Sequence, residues 1–145
     1  MDYVALKSEL QNDPFTVGYA PYLPDASGRV ADMMNASIFT MAKHRMVSAR
    51  AILAECAAGA TILDKLEVAS AVSSPIKWAV KFLGQDAGID IGHAATRAML
   101  DAMVGTVLTQ AEVNQLKAMA IQPASRAEVL GLGRVDSSDI QKALE

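Results

Sequence analysis

The chain has 145 residues, a length that suits one domain of ordinary size. Hydrophobic residues make up 52% and charged residues 20%, which excludes wholesale disorder. The formal charge of −3, from 13 basic and 16 acidic residues, disfavours a strongly basic nucleic-acid binder, and the single cysteine, Cys56, excludes an internal disulfide.

Alanine dominates with 26 residues, and aromatics are scarce at 5%. Alanine is the best helix former, whereas sandwiches and barrels lean on β-branched and aromatic residues. In chain order, a first helix is predicted over 2–11, with Val4, Leu6 and Leu10 inward and Asn12-Asp13-Pro14 as its stop. Residues 14–28 form an apolar loop rich in proline and glycine. Phe15, Tyr19 and Tyr22 lie within it, and aromatic burial should pin it to the body. A short helix over 29–35 buries Val30, Met33 and Met34.

Residues 36–47, ASIFTMAKHRMV, mix extended and helical preferences around Ile38 and Phe39 and predict an extended arm or a short hairpin. Ser48 caps a helix to about Ala57 with Ile52, Leu53 and Cys56 inward, and Gly59 stops it. Thr61 and Asp64 look like a capping pair for a helix to residue 70 that carries Ile62, Leu63, Leu66 and Val68.

Ser74-Pro75 reads as an N-cap followed by proline at the first helical position. The tract from Ile76 to Leu83 is apolar on nearly every face, which predicts a central, buried helix ended by Gly84. A helix over 93–104 follows, with Ala94, Ala98, Met99, Ala102 and Met103 inward and Gly105 after it. Thr109…Glu112 and Ser125…Glu128 fit capping boxes for helices over 110–119 and 125–131, separated by Pro123. Gly131-Leu132-Gly133 closes the second, and Asp136 to Asp139 open a terminal helix with Ile140, Ala143 and Leu144 inward. The expected fold is mainly α, a single helical domain over 1–145: a compact array of seven or eight short helices plus the extended arm or hairpin at 36–47. Helices this short need tertiary packing to persist in water.

Candidate chemistry is sparse. His44 lies between Lys43 and Arg45, which repel a cation, and His93 reads as a surface or capping residue. Cys56 follows Glu55 at the negative end of a helix, which raises a thiol pKa. No spacing among Asp64, Glu67, Asp86, Asp90 and Asp101 selects an acid–base pair. Gly131-Leu132-Gly133 lacks the strand and third glycine of a dinucleotide site. Hence no catalytic residue, metal site or cofactor is expected. Lys43, Arg45 and Arg50 form the one local basic cluster, suited to an acidic partner or nucleic acid. Methionines at 33, 34, 41 and 46 fill a core or serve an adaptable interface. The opening MDYVALKSEL has no apolar leader, and no window reaches about 18 uninterrupted apolar residues, so neither a signal peptide nor a membrane span is expected.

The chain opens Asp2-Tyr3-Val4-Ala5-Leu6-Lys7-Ser8-Glu9-Leu10, then Asp13-Pro14 and Gly18-Tyr19, and closes Ser125-Arg126-Ala127, then Leu130-Gly131-Leu132-Gly133 and the terminal helix from Asp139-Ile140. In these two segments it resembles the opening and the ending of a family of small proteins encoded by tailed bacteriophages. The middle, roughly 36–108, varies much more among members. The resemblance implies a component of a phage morphogenesis module and carries over no catalytic residue.

The expected function is therefore non-enzymatic: a structural protein of the virion at the head–tail neck, the tail or the capsid surface, present in multiple copies. It would reside in the virion, and in the host cytoplasm during assembly. Its partners would be other phage structural proteins and further copies of itself, with no membrane and nucleic acid disfavoured. The candidate interaction residues are Phe15, Tyr19, Tyr22, Ile38, Phe39, Lys43, Arg45 and Arg50. The alternative is a small phage regulatory or assembly protein that binds nucleic acid or a partner without entering the virion.

Overall fold

A computed structural model describes all 145 residues. The chain is mainly α, with nine α-helices, one 3-10 turn and four short strands. It divides into two compact units. One joins Met1–Met41 to Pro123–Glu145 and so holds both termini; the other is Ala42–Gln122.

The terminal unit is built on α1 (Tyr3–Asn12), α2 (Ser27–Asn35), α8 (Arg126–Val129) and α9 (Ser137–Leu144), with the 3-10 turn at Ala20–Tyr22. Asp2 caps α1 by accepting from the Val4 and Ala5 amides at 3.1 and 3.0 Å. The helix ends where Asp13 turns left-handed at φ 38°, and the Asp13 carboxylate then accepts from the Val17 and Gly18 amides at 2.7 Å each. Asp13 thus stops one helix and shapes the loop after it. Ser125 and Asp136 both close capping boxes, on α8 and α9. Leu6, Leu10, Val30, Met34, Val135 and Ile140 pack into one core with Tyr19. Removing a side chain such as Leu6 from it costs about 2–5 kcal/mol. Val4, expected inward, points to solvent, because the buried stripe of α1 runs through Leu6, Glu9 and Leu10.

The chain's two ends are tied together inside this unit. Tyr3 Oη donates to Asp139 Oδ1 at 3.1 Å. The Asn35 side chain donates to the Val135 carbonyl at 2.6 Å and accepts from the Val135 amide at 3.1 Å, acting as a strand partner would.

The middle unit holds α3 (Ala49–Glu55), α4 (Gly59–Ser70), α5 (Ser74–Leu83), α6 (Ala94–Met103) and α7 (Gln110–Ala118). Strands β2 (Met46–Val47) and β3 (Ile89–Asp90) pair antiparallel, Met46 opposite Asp90 and Val47 opposite Ile89. Its core gathers Val47, Ile52, Ile62, Leu66, Leu100, Leu108, Val113 and Leu116. The Thr109 capping box opens α7, and Ser48 caps α3 through the Ala51 amide.

Strands β1 (Phe39–Ala42) and β4 (Ile121–Ala124) form the other two-stranded sheet. Residues 36–47 are therefore extended in part, but not as a hairpin: β1 pairs with β4 and β2 with β3, each partner tens of residues away.

Several local expectations need correction. Gly59 opens α4 and does not end α3, which stops at Glu55; a Cβ on Gly59 would collide with the Ile52 carbonyl. Thr61 and Asp64 cap nothing, since the N-cap of α4 is Ala58. The N-cap of α5 is Ser73. Leu53 and Val68 are exposed. On α6 the inward residues are Leu100 and Met103, while Ala94, Ala98 and Ala102 face solvent. Apolar side chains of larger area won the buried face over alanines. The largest correction concerns α5. It buries Ile76, Ala79 and Leu83 and turns Trp78 and Phe82 outward, so it is an amphipathic surface helix.

Candidate functional site

In the terminal unit, two candidate aromatics meet. Phe15 and Phe39 pack edge to face with ring centroids 5.7 Å apart. The Arg126 guanidinium lies 4.2 Å from the Phe15 centroid and 5.8 Å from that of Phe39. Behind the rings, Arg126 grips Glu9 with two bonds of 2.7 and 2.9 Å, and both side chains are buried. The hydrogen bonds that Arg126 donates to Glu9 raise the Arg126 pKa further above its ordinary value. Phe15 is 58% exposed and neighbouring Ile38 is 65% exposed. The result is an aromatic patch with a fixed cation beneath it. Preorganised aromatic and arginine groups are favoured anchors at protein interfaces.

Tyr19, also a candidate, is a core residue at 0% exposure and cannot meet a partner. Its hydroxyl lies beside the Glu9 carboxylate but makes no well-formed hydrogen bond. Burial first, and then the Glu9 and Asp13 carboxylates, push its phenol far above the ordinary tyrosine range. Tyr22 is half-buried, with the Arg29 guanidinium 4.2 Å over its ring.

The basic cluster does not form one patch. Arg45 is spent inside the middle unit: it donates to Glu55 Oε1 at 2.5 Å and to the Met119 carbonyl at 2.8 Å. That pairing holds the Glu55 carboxyl below the usual range. Lys43 is half-buried and donates its backbone amide to the Ala120 carbonyl at 2.9 Å. Only Arg50, on α3, stands exposed.

Asp90 organises the β2–β3 corner. It accepts from the Arg45 and Gly92 amides at 3.0 Å each and pairs with His44 at 2.5 Å. The His44 bond first, then these amides, hold its carboxyl below the usual range. His93 is the N-cap of α6, with Nδ1 accepting from the Ala95 amide at 3.2 Å. Cys56 is buried, its Sγ 3.5 Å from Met119 Sδ, and burial ahead of the Glu55 charge pushes its thiol up. That holds it in the unreactive thiol form.

No group of three or more His, Cys, Asp or Glu residues is arranged to hold a metal ion. The small apolar pocket among Ile52, Leu66, Leu83 and Leu100 has a volume of about 30 Å³, about that of one water molecule. No helix is long and apolar enough to cross a membrane.

Two surface features were not anticipated. On α5, Trp78 (51% exposed) and Phe82 (45%) stack one turn apart, with ring centroids at 6.3 Å. Val68, Ala69, Val72, Thr106 and Val107 line an open groove of about 510 Å³ beside α4. The signal for the ridge was present. Ile76, Ala79 and Leu83 fall at helical spacing, and Lys77 and Lys81 mark the opposite, solvent side next to Trp78 and Phe82.

Compared with known proteins, the chain matches no family model, no curated protein sequence and no solved structure.

Proposed function

We propose that this chain is a non-enzymatic structural component of a tailed-phage virion, acting in multiple copies by packing against larger structural proteins. The resemblance of its two ends supports this, and the placement of those ends adds to it. Tyr3, Glu9, Asp13, Ser125, Arg126 and Asp139 all lie in one unit, where each ties that unit together. The residues that carry the resemblance thus hold this unit together. The same unit presents the Phe15–Phe39 patch over Arg126, a rigid apolar anchor with no chemistry of its own.

The neck, the tail and the capsid surface each offer repeated sites for such a protein, and the reading extends to all three. A regulator that docks on nucleic acid through Arg45 draws no support, since Arg45 is bound to Glu55 and Met119.

The test uses infected cells producing the wild-type chain and a Phe15→Asp/Ile38→Asp chain in competition. Both positions are exposed, but Phe15 also packs on Phe39 and Arg126, so circular dichroism of the purified variant is required to match wild type before incorporation is compared. Wild type is expected to co-purify with particles and the variant to be depleted at least about tenfold, as for the loss of an interface anchor. Equal incorporation removes the patch from the interface; absence of both chains from particles overturns the virion reading.

A further inference from the structure

The ridge and the groove are apolar features on the surface of the middle unit; Ala69 and Val107 of the groove also pack against its core. The ridge is cationic. Lys77 and Lys81 flank Trp78 and Phe82, Lys81 Nζ lies 4.8 Å from the Trp78 centroid, and α5 contains no acidic residue. The groove's lining carries one carboxylate, Asp64, and one ammonium, Lys65. Both oxygens of Glu112 hold Lys65 at 2.7 and 3.0 Å, which leaves Asp64 as the uncompensated charge. Neither Trp78 nor Phe82 lines the groove, so the two features are separate patches.

We propose that the Trp78–Phe82 ridge of one copy seats in the Val68–Val72–Val107 groove of a second copy, with Lys77 and Lys81 facing Asp64. Shape and charge agree. An open valine-lined slot of about 510 Å³ can receive an indole, and opposite charges meet at its edge. Ridge against ridge would bring lysines together, and two concave grooves cannot fill one another, so like-to-like pairing is disfavoured. Two different patches meeting make a heterologous contact, the kind that closes into a ring or extends as a filament. The inference rests on the multi-copy reading above and gives it a physical means.

The test follows the full-length protein by sedimentation velocity up to about 1 mM, the weak end of specific association. Wild type is expected to associate with rising concentration. Trp78→Glu and Val68→Glu change exposed positions, so both should keep wild-type circular dichroism. Each is expected to lower the association constant at least about a hundredfold, because an unpaired charge is pressed onto apolar side chains. Mixing the two variants is the decisive arm. One retains its groove and the other its ridge, so the mixture should form a heterodimer that grows no further. A wild-type chain that stays monomeric, or a mixture as monomeric as its components, overturns the proposal. So does a monomer that binds phosphatidylglycerol vesicles through Trp78, which assigns the ridge to an anionic lipid surface. A monomer in solution leaves the virion reading standing, because that reading is measured on particles.

Discussion

Glu9 and Arg126 are 117 residues apart and form a two-bond ion pair at 2.7 and 2.9 Å, with both side chains withdrawn from water. Arg126 also carries the aromatic patch on its guanidinium face. Removing one partner strands the other's charge. Arg126→Met is expected to destabilise the terminal unit by about 3–5 kcal/mol, on the order of 10 °C in melting temperature. Glu9→Leu combined with Arg126→Met should recover much of that loss, since neither charge then remains. A double variant no more stable than the Arg126 single, in denaturant melts, would show that the pair does not act as a unit.

Tyr19 offers the opposite sign. Its buried hydroxyl makes no well-formed hydrogen bond beside the Glu9 carboxylate, so Tyr19→Phe removes a group that costs desolvation and returns little. The variant is expected to be as stable as wild type or more so, by up to about 1 kcal/mol. In the folded protein, ultraviolet titration should leave the Tyr19 phenol un-ionised through the range near pH ~10 where a free tyrosine titrates.

Acid should loosen the middle unit through identified carboxylates. Asp90 is held below its ordinary pKa by His44 and two amides, and Glu112 by Lys65 and its capping box on α7. A depressed folded-state pKa stabilises the fold above the unfolded value of about 4. That contribution is lost as pH falls from there through the folded value. Trp78 is the only tryptophan and lies in this unit, so its fluorescence reports the transition. Glu112→Gln is expected to reduce stability at neutral pH and to flatten the loss between neutral and acid conditions. An unchanged acid slope would remove Glu112 from the cause.

Gly59 tests the close approach of α3 and α4. A Cβ there meets the Ile52 carbonyl, which is backbone and cannot swing away. Gly59→Ala should raise helix propensity yet destabilise by about 1–3 kcal/mol, because overpacking outweighs the propensity gain. A stabilised variant in urea unfolding would contradict the packing described here.

What was legible in the sequence was local. The capping boxes at Thr109 and Ser125 and the capped opening at Asp136 stand where the residue types put them, because a cap needs only a side chain and an amide three residues away. Asp13-Pro14 marked the end of α1 for the same reason, within one residue. Long-range partners were not legible. Nothing near Arg126 points to Glu9, and nothing near Arg45 points to the Met119 carbonyl. The strands of 36–47 were readable as extended, but their pairing to β3 and β4 is set by tertiary packing. On α5 the high apolar content hid the phase. Trp78 and Phe82 count as hydrophobic in any pattern, yet they lie beside the lysines on the outer face. At the candidate site, Phe15 and Phe39 were named but their meeting was not foreseen, since it depends on how the turn after α1 and the start of β1 come together at Arg126.

The most direct measurement is quantitative mass spectrometry of density-purified phage particles, with this chain counted against the major capsid protein. A structural component should appear at a fixed ratio in every preparation, and the ratio distinguishes a ring from a tail tube or a shell decoration. Absence of its peptides from particles, with the protein abundant in the infected cell, would contradict the virion role outright.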